Sequence, residues 1–227
     1  MMPATGEGTW APGPRLPLLA EGAVHVWRAD LRTVGDDLSE LLCSEERVRA
    51  QRFVSKRDSE LWGRSRGLLR ALLGRYSRQD PRSLRFVTGV HGKPELAGNA
   101  AAELAFNMSH SEHLALYAFS RAGAVGVDVE VARRPIDEVA IAERILGASE
   151  AARLQALDPA TRRREFLRGW TRHEAELKCL GVGIGGADGV TDGSRPWVEE
   201  LELSPEVAAA VAAERAAREL HCWDWQP

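Results

Sequence analysis

Residues 126–130 read Gly-Val-Asp-Val-Glu, two acids one residue apart among valines. In a strand, residues i and i+2 share a face. Val127 and Val129 are therefore expected to face a core, with Asp128 and Glu130 side by side on the opposite face. A rise of about 3.3 Å per residue sets the two acids roughly 6.5 Å apart. Like charges at that range repel unless water, a cation or a basic partner intervenes. Two readings follow, a solvent-facing edge strand or two arms of a hard-cation site.

The segment FLRGWTRHEAELKCLG carries a carboxylate and a lysine at helical spacing. Glu174 and Lys178 are four residues apart and share a helix face, with Phe166, Trp170 and Leu177 as the stripe that packs it down. An isolated surface pair of this kind is worth only ~0.3–0.5 kcal/mol. This lysine weighs more, because only Lys56, Lys93 and Lys178 among thirty basic residues are lysines. A compact ammonium does what a guanidinium fork does not. A third carboxylate joining Asp128 and Glu130 would complete an all-oxygen set suited to Mg²⁺, which keeps waters and substrate phosphates in the rest of its shell. No carboxylate-plus-His spacing suggests zinc. In FNMSHSEH, His110 lies between Ser109 and Ser111, in what reads as a turn able to meet an anion. Neither serine sits in a GxSxG elbow, which weakens a catalytic triad.

The elements that must position these groups follow from apolar spacing. Ala23–Leu31 alternates as a strand. A helix is expected over CSEERVRAQRF, with Ser44 as N-cap and Glu45 and Glu46 in a first turn that suits acids. A second runs from about Asp58 to Tyr76. Leu84–Leu96 reads as a strand with a Gly-Pro turn. A short strand, a polar turn, a strand ending near Ser120 and the GVDVE strand follow. Helices are then expected in residues 132–146, in 149–157 with Ser149 as cap, and from about Pro159 to Cys179, stopped by Gly181 and Gly183. The segments beginning at Trp197, Ala208 and Leu220 read as closing strands, although the Ala-rich residues 205–219 suit a helix equally. Strands and helices without strict βαβ alternation give an α+β fold of two similar lobes. The expected division is a flexible leader over 1–20, an N-terminal lobe over 21–122 and a C-terminal lobe over 123–227.

A chain of 227 residues can bury a sizeable core. Its net charge of −3 makes no general case for nucleic-acid binding. Between Arg47 and Arg85, however, twelve basic residues face three acids, a local positive field that suits a phosphate-bearing ligand. The three cysteines, Cys43, Cys179 and Cys222, form no CxxC pair, which points to a reduced, cytoplasmic protein. No run approaches the ~18 apolar residues of a membrane span. The Pro- and Gly-rich start lacks the pattern of a signal peptide.

Taken in order, GKP at 92–94, FNMSHS at 106–111, GVDVE at 126–130 and WTRHEAELKCLGVGI at 170–184 resemble the surfactin-synthetase-activating (Sfp) type of 4′-phosphopantetheinyl transferase. The resemblance spans about Leu42 to Ile184 and implies a pseudo-twofold pair of α+β lobes with coenzyme A between them. It implies a Mg²⁺-dependent, holo-[acyl-carrier-protein] synthase type of transfer, from coenzyme A to a serine of an apo acyl, polyketide or peptidyl carrier protein, releasing 3′,5′-ADP. Carried over residue by residue, Asp128, Glu130 and Glu174 would hold the metal. Glu174 and Lys178 would be catalytic, Lys178 also gripping the pyrophosphate. His110 would bind a coenzyme A phosphate, with Asn107, Ser109 and Ser111 shaping the turn. Lys93 and Arg49 would lie near the adenosine 3′-phosphate and base, with Arg47 and Arg66 assisting. The pattern usually has Lys where this chain has His173, a shorter side chain that is mostly neutral at pH 7. The overall acidity argues against a nucleic-acid partner and the lack of a long apolar run against a membrane, and an internal pair of lobes permits a monomer. The rival readings are a coenzyme A-binding scaffold without turnover and an Arg-rich nucleic-acid module.

Overall fold

Leu68, Leu69, Leu72, Leu73 and Tyr76 recur at helical spacing, and the helix they belong to buries them all along one side. That helix is α2 (Lys56–Ser77) in a computed structural model of the chain. The structure describes residues 10–89, 93–98, 104–132, 136–182 and 195–226. Residues 1–9 of the expected leader and most of the Gly-rich loop after α5, with Gly92 of the GKP turn, lie outside these residues.

Two sheets carry the strands. In the larger, β1 (Ala11–Pro12), β10 (Glu219–Asp224), β2 (Ala23–Asp30), β6 (Leu114–Ser120) and β5 (Ala105–Ser111) lie in that order. Here β10 runs parallel to β1 and β2, while β2, β6 and β5 are antiparallel. In the smaller, β7 (Val125–Val131), β9 (Val207–Ala213) and β8 (Trp197–Glu200) are antiparallel. A separate hairpin joins β3 (Phe86–Thr88) to β4 (Pro94–Leu96). Short helices α1 (Ser44–Gln51), α3 (Glu138–Ile145) and α4 (Ala148–Gln155) precede the long α5 (Pro159–Leu180).

The layers are α2, the large sheet, the small sheet and α5. Trp27, Ala115, Tyr117 and Phe119 of the large sheet pack on α2. Val24, Val26, Leu116 and Ala118 on its other face meet Val125, Val127, Val129, Ala209 and Val211 of the small sheet. Each buried Leu of α2 contributes about 1.5–3 kcal/mol relative to exposure. On the outer face of the small sheet, Ala210 and Ala212 lie under Ala175 and Cys179 of α5. Each half thus pairs a sheet with one helix of 22 residues, as an α+β reading requires.

Several local expectations shift. Cys43, not Ser44, takes the N-cap of α1, and its N–H donates to Glu46 Oε2 at 3.1 Å. Gly147, not Ser149, precedes α4. The FNMSHS segment is not a turn: β5 runs through Ser111, and Glu112 with φ 55° makes the bend into β6. Residues 207–213 are strand, because their alanines fit under a helix. The closing β10 falls within the span expected for the second lobe, yet it pairs with β2 in the first sheet.

Gly126 explains how α5 comes so close. A Cβ there would overlap the carbonyl oxygen of Ala175 and the backbone nitrogen of Cys179. Backbone atoms cannot rotate away, so Gly126→Ala must push helix and strand apart. We expect it to cost about 1–3 kcal/mol, read as a lower urea midpoint with an unchanged slope. A wild-type midpoint would mean that α5 slides without penalty.

Candidate active site

β5 and β7 run along each other at the edges of the two sheets, joined by side chains. Val127 N–H donates to Asn107 Oδ1 at 2.9 Å, and Val131 N–H to Ser111 Oγ at 3.2 Å. Ser109 Oγ donates to Asp128 Oδ1 at 2.8 Å, and Ser111 Oγ to Glu130 Oε2 at 3.0 Å. The period of two in Asn107, Ser109 and Ser111 is therefore a strand face aimed at the acids of β7. Asp128 does not look into solvent, because α5 lies against Gly126 and Lys178 reaches Asp128, which is only 4% exposed; Glu130 is partly exposed.

From α5, Lys178 reaches into this seam. Its Nζ donates to Asp128 Oδ1 at 2.6 Å, to Ser109 Oγ at 3.1 Å and to Val127 O at 3.3 Å. The lysine thus pairs across the site with Asp128 and not along its own helix with Glu174. Asp128 Oδ2 and Glu174 Oε1 are buried without a hydrogen-bond partner among the described residues. Burial raises the Glu174 carboxyl, the Asp128 charge adds to it and Lys178 opposes it. Glu130 is raised in the same way, by burial and then by Asp128, against the Ser111 hydrogen bond. As the side chains stand, the described residues gather no group of three potential metal ligands. Two orphaned buried oxygens beside three repelling carboxylates nevertheless fit a hard cation, which prefers oxygen donors.

The other expected groups separate into two kinds. His110 lies exposed on β5, its pKa lowered by the protein around the ring and then by the Lys178 charge. His173 is half-buried one residue before Glu174, its pKa lowered by burial against the pull of Glu176. Arg49 stacks over Trp62 at 5.6 Å and, with Ser44, Arg52 and Phe53, lines an open groove. Arg47 and Arg66 are instead held by the protein. Arg47 donates to the carbonyls of Leu42 and Glu40. Arg66 donates to Glu46 Oε1 and lies over Phe86 at 4.1 Å. Lys93 points at main-chain carbonyls, Val125 O at 3.0 Å and Lys178 O at 2.7 Å. The group that sequence reasoning missed is Glu46, read only as a first-turn acid. It also accepts from Arg70 Nε at 2.6 Å, and although burial opposes ionisation, the two arginines hold its carboxyl below the usual range. Its signal was an acid at the head of the twelve basic residues that begin at Arg47.

Comparison with known proteins agrees with this arrangement. Residues 124–223 match the family model described as 4′-phosphopantetheinyl transferase superfamily, and residues 27–121 match that of the 4′-phosphopantetheinyl transferase N-terminal region. The chain is 36% identical over 182 residues to 4′-phosphopantetheinyl transferase HetI of Nostoc sp., covering 78% of this chain and 77% of that one. It is 34% identical over 146 residues to a putative 4′-phosphopantetheinyl transferase of Synechocystis sp., covering 64% and 59%. Against 4′-phosphopantetheinyl transferase AcpT of Salmonella typhimurium it is 38% identical over 95 residues, covering 42% and 48%. With both family models matched in order and the carboxylates of β7 and α5 brought to one seam, the chain belongs to the 4′-phosphopantetheinyl transferase superfamily.

Proposed function

We propose that this chain is a Mg²⁺-dependent enzyme of the surfactin-synthetase-activating type, carrying out holo-[acyl-carrier-protein] synthase chemistry at the seam of β5, β7 and α5. Transfer of 4′-phosphopantetheine from coenzyme A to a carrier protein is the activity of its family. The observation that supports the finer reading is the pair of buried oxygens, Asp128 Oδ2 and Glu174 Oε1, left without donors beside Lys178. Asp128, Glu130 and Glu174 would hold the cation, which when bound neutralises charge on the pyrophosphate oxygens.

The chain's own groups account for the rest. The carrier serine Oγ forms a bond to the β-phosphorus of coenzyme A, and the bond from that phosphorus to the oxygen bridging to the α-phosphorus breaks. The serine proton would pass to Glu174, acting as general base. Lys178, on the same helix face, offers its ammonium to the departing 3′,5′-ADP. Such transfer needs alignment and charge neutralisation more than covalent help. His110, next to Ser109 and exposed, is placed to meet a phosphate of coenzyme A, and His173 lies close to the metal ligands. Arg49 over Trp62 is suited to the adenosine end. Three free cysteines support action in a reducing cytoplasm. No helix among the described residues is long and apolar enough to cross a membrane. Two lobes packed within one chain support a monomer.

Incubating apo acyl, polyketide and peptidyl carriers with the protein, coenzyme A and Mg²⁺ should add one phosphopantetheine by intact mass, and EDTA should abolish the gain. Coenzyme A binding with no gain on any carrier would identify a scaffold instead. Asp128→Asn keeps the size of the side chain and should lower turnover by at least about 100-fold with an unchanged circular dichroism spectrum; a rate near wild type removes Asp128 from the site. Replacing His173 with Lys should maintain or raise the rate. A large loss in that variant would assign the imidazole a task of its own.

A further inference from the structure

We propose that Ser111 is a positioning residue, which acts on the reaction by fixing the Glu130 carboxylate for the metal. The proposal rests on the metal-dependent transferase reading of the seam. A serine hydroxyl has one proton to give and two lone pairs with which to accept. Ser111 Oγ gives its proton to Glu130 Oε2 at 3.0 Å and accepts the N–H of Val131 at 3.2 Å. The second contact is to main chain, one residue beyond Glu130. The hydroxyl is therefore anchored on the same strand as the acid it restrains. β5 and β7 advance in step, Asn107 meeting Val127, Ser109 meeting Asp128, and Ser111 meeting Glu130 and Val131. Two serines that share one strand face thus each hold one of two acids that share the next.

Glu130 needs this restraint more than Asp128 does. Asp128 has the shorter side chain, is buried, and is gripped by Lys178 as well as by Ser109. Glu130 has one more rotatable bond and stands partly exposed, so it has both the freedom and the room to turn away. Repulsion from the neighbouring Asp128 charge favours that turn. The Ser111 hydrogen bond opposes it and keeps the two carboxylates on one side of β7. Mg²⁺ is demanding in this respect, because it requires near-ideal octahedral geometry from its oxygens. Hydrogen-bonding partners that orient metal ligands are typically worth about 10- to 100-fold in metal affinity or activity. Threonine would supply the same hydroxyl. Its extra methyl has space, since Ser111 lines a cavity of about 350 Å³ with Ile136, Ile141 and Trp170.

The test compares wild type with Ser111→Ala and Ser111→Thr in two measurements. One is the Mg²⁺ dependence of transfer to a carrier protein. The other is Mn²⁺ binding in the presence of 3′,5′-ADP, followed by electron paramagnetic resonance with no turnover. Ser111→Ala should raise the half-saturating Mg²⁺ and weaken Mn²⁺ binding, each about 10- to 100-fold. KM for coenzyme A at saturating Mg²⁺ should stay nearly unchanged, and Ser111→Thr should recover both metal effects. A lower Tm in Ser111→Ala with Mn²⁺ binding intact would make the contact merely structural and overturn the proposal. A higher KM for coenzyme A at saturating Mg²⁺, again with Mn²⁺ binding intact, would overturn it by making Ser111 a substrate ligand. Should the wild-type protein bind no Mn²⁺, the metal reading of the seam fails and the proposal with it. Weaker Mn²⁺ binding in Ser111→Ala, with no transfer by the wild type on any carrier, would uphold the role of Ser111 and sink the transferase reading alone.

Discussion

A helix backbone can lie directly on a strand only where the strand offers no side chain in between, and Gly126 is such a place. The turn of α5 from Ala175 to Cys179 rests on it, flanked by Ala210 and Ala212 of β9. This close approach sets the reach of everything above it. Glu174 stands just before that turn and Lys178 within it, so both are delivered to the carboxylates of β7 without a long flexible path. A side chain at 126 would overlap Ala175 O and the nitrogen of Cys179 and force helix and strand apart.

What results is a concentration of negative charge that the protein only half compensates. Lys178 satisfies one oxygen of Asp128, Ser109 shares it, and Ser111 holds Glu130. Burial and mutual repulsion raise the glutamates of the group. A protein selected for stability alone would fill such a region with apolar groups. Keeping three carboxylates there makes sense when a cationic and phosphate-bearing substrate complex completes the balance. The contrast with Glu46 is instructive: that buried acid is fully answered by Arg66 and Arg70, so it belongs to the scaffold.

The sequence carried much of this. Spacing alone put Asp128 and Glu130 on one face and Glu174 with Lys178 on another, and apolar stripes located α2 and α5. Three things were not legible for physical reasons. Alanine prefers helix in isolation, and residues 207–213 become strand only because a helix elsewhere in the chain needs small neighbours. The seam residues Asn107, Ser109 and Ser111 looked like a turn because they are polar. They are polar because they bridge two sheet edges, where side chains substitute for a missing ladder. Likewise, the run of arginines from Arg47 concealed a division between those that the protein itself consumes and Arg49, which stacks on Trp62.

The return of β10 to the first sheet bears on how such a chain is made. Its six residues pair in parallel with β2, nearly two hundred positions earlier, and Arg28 grips Asp224 through two hydrogen bonds of 2.7 and 2.9 Å. During synthesis the strands of the first lobe emerge long before their partner exists. The edge of β2 that β10 will cover must wait, exposed, while the second lobe is built. Contacts so distant in sequence slow folding, and an uncovered strand edge invites pairing with other chains. The first sheet is complete only once β10 has joined it, so a strand from the second half of the chain ties that half to the first sheet.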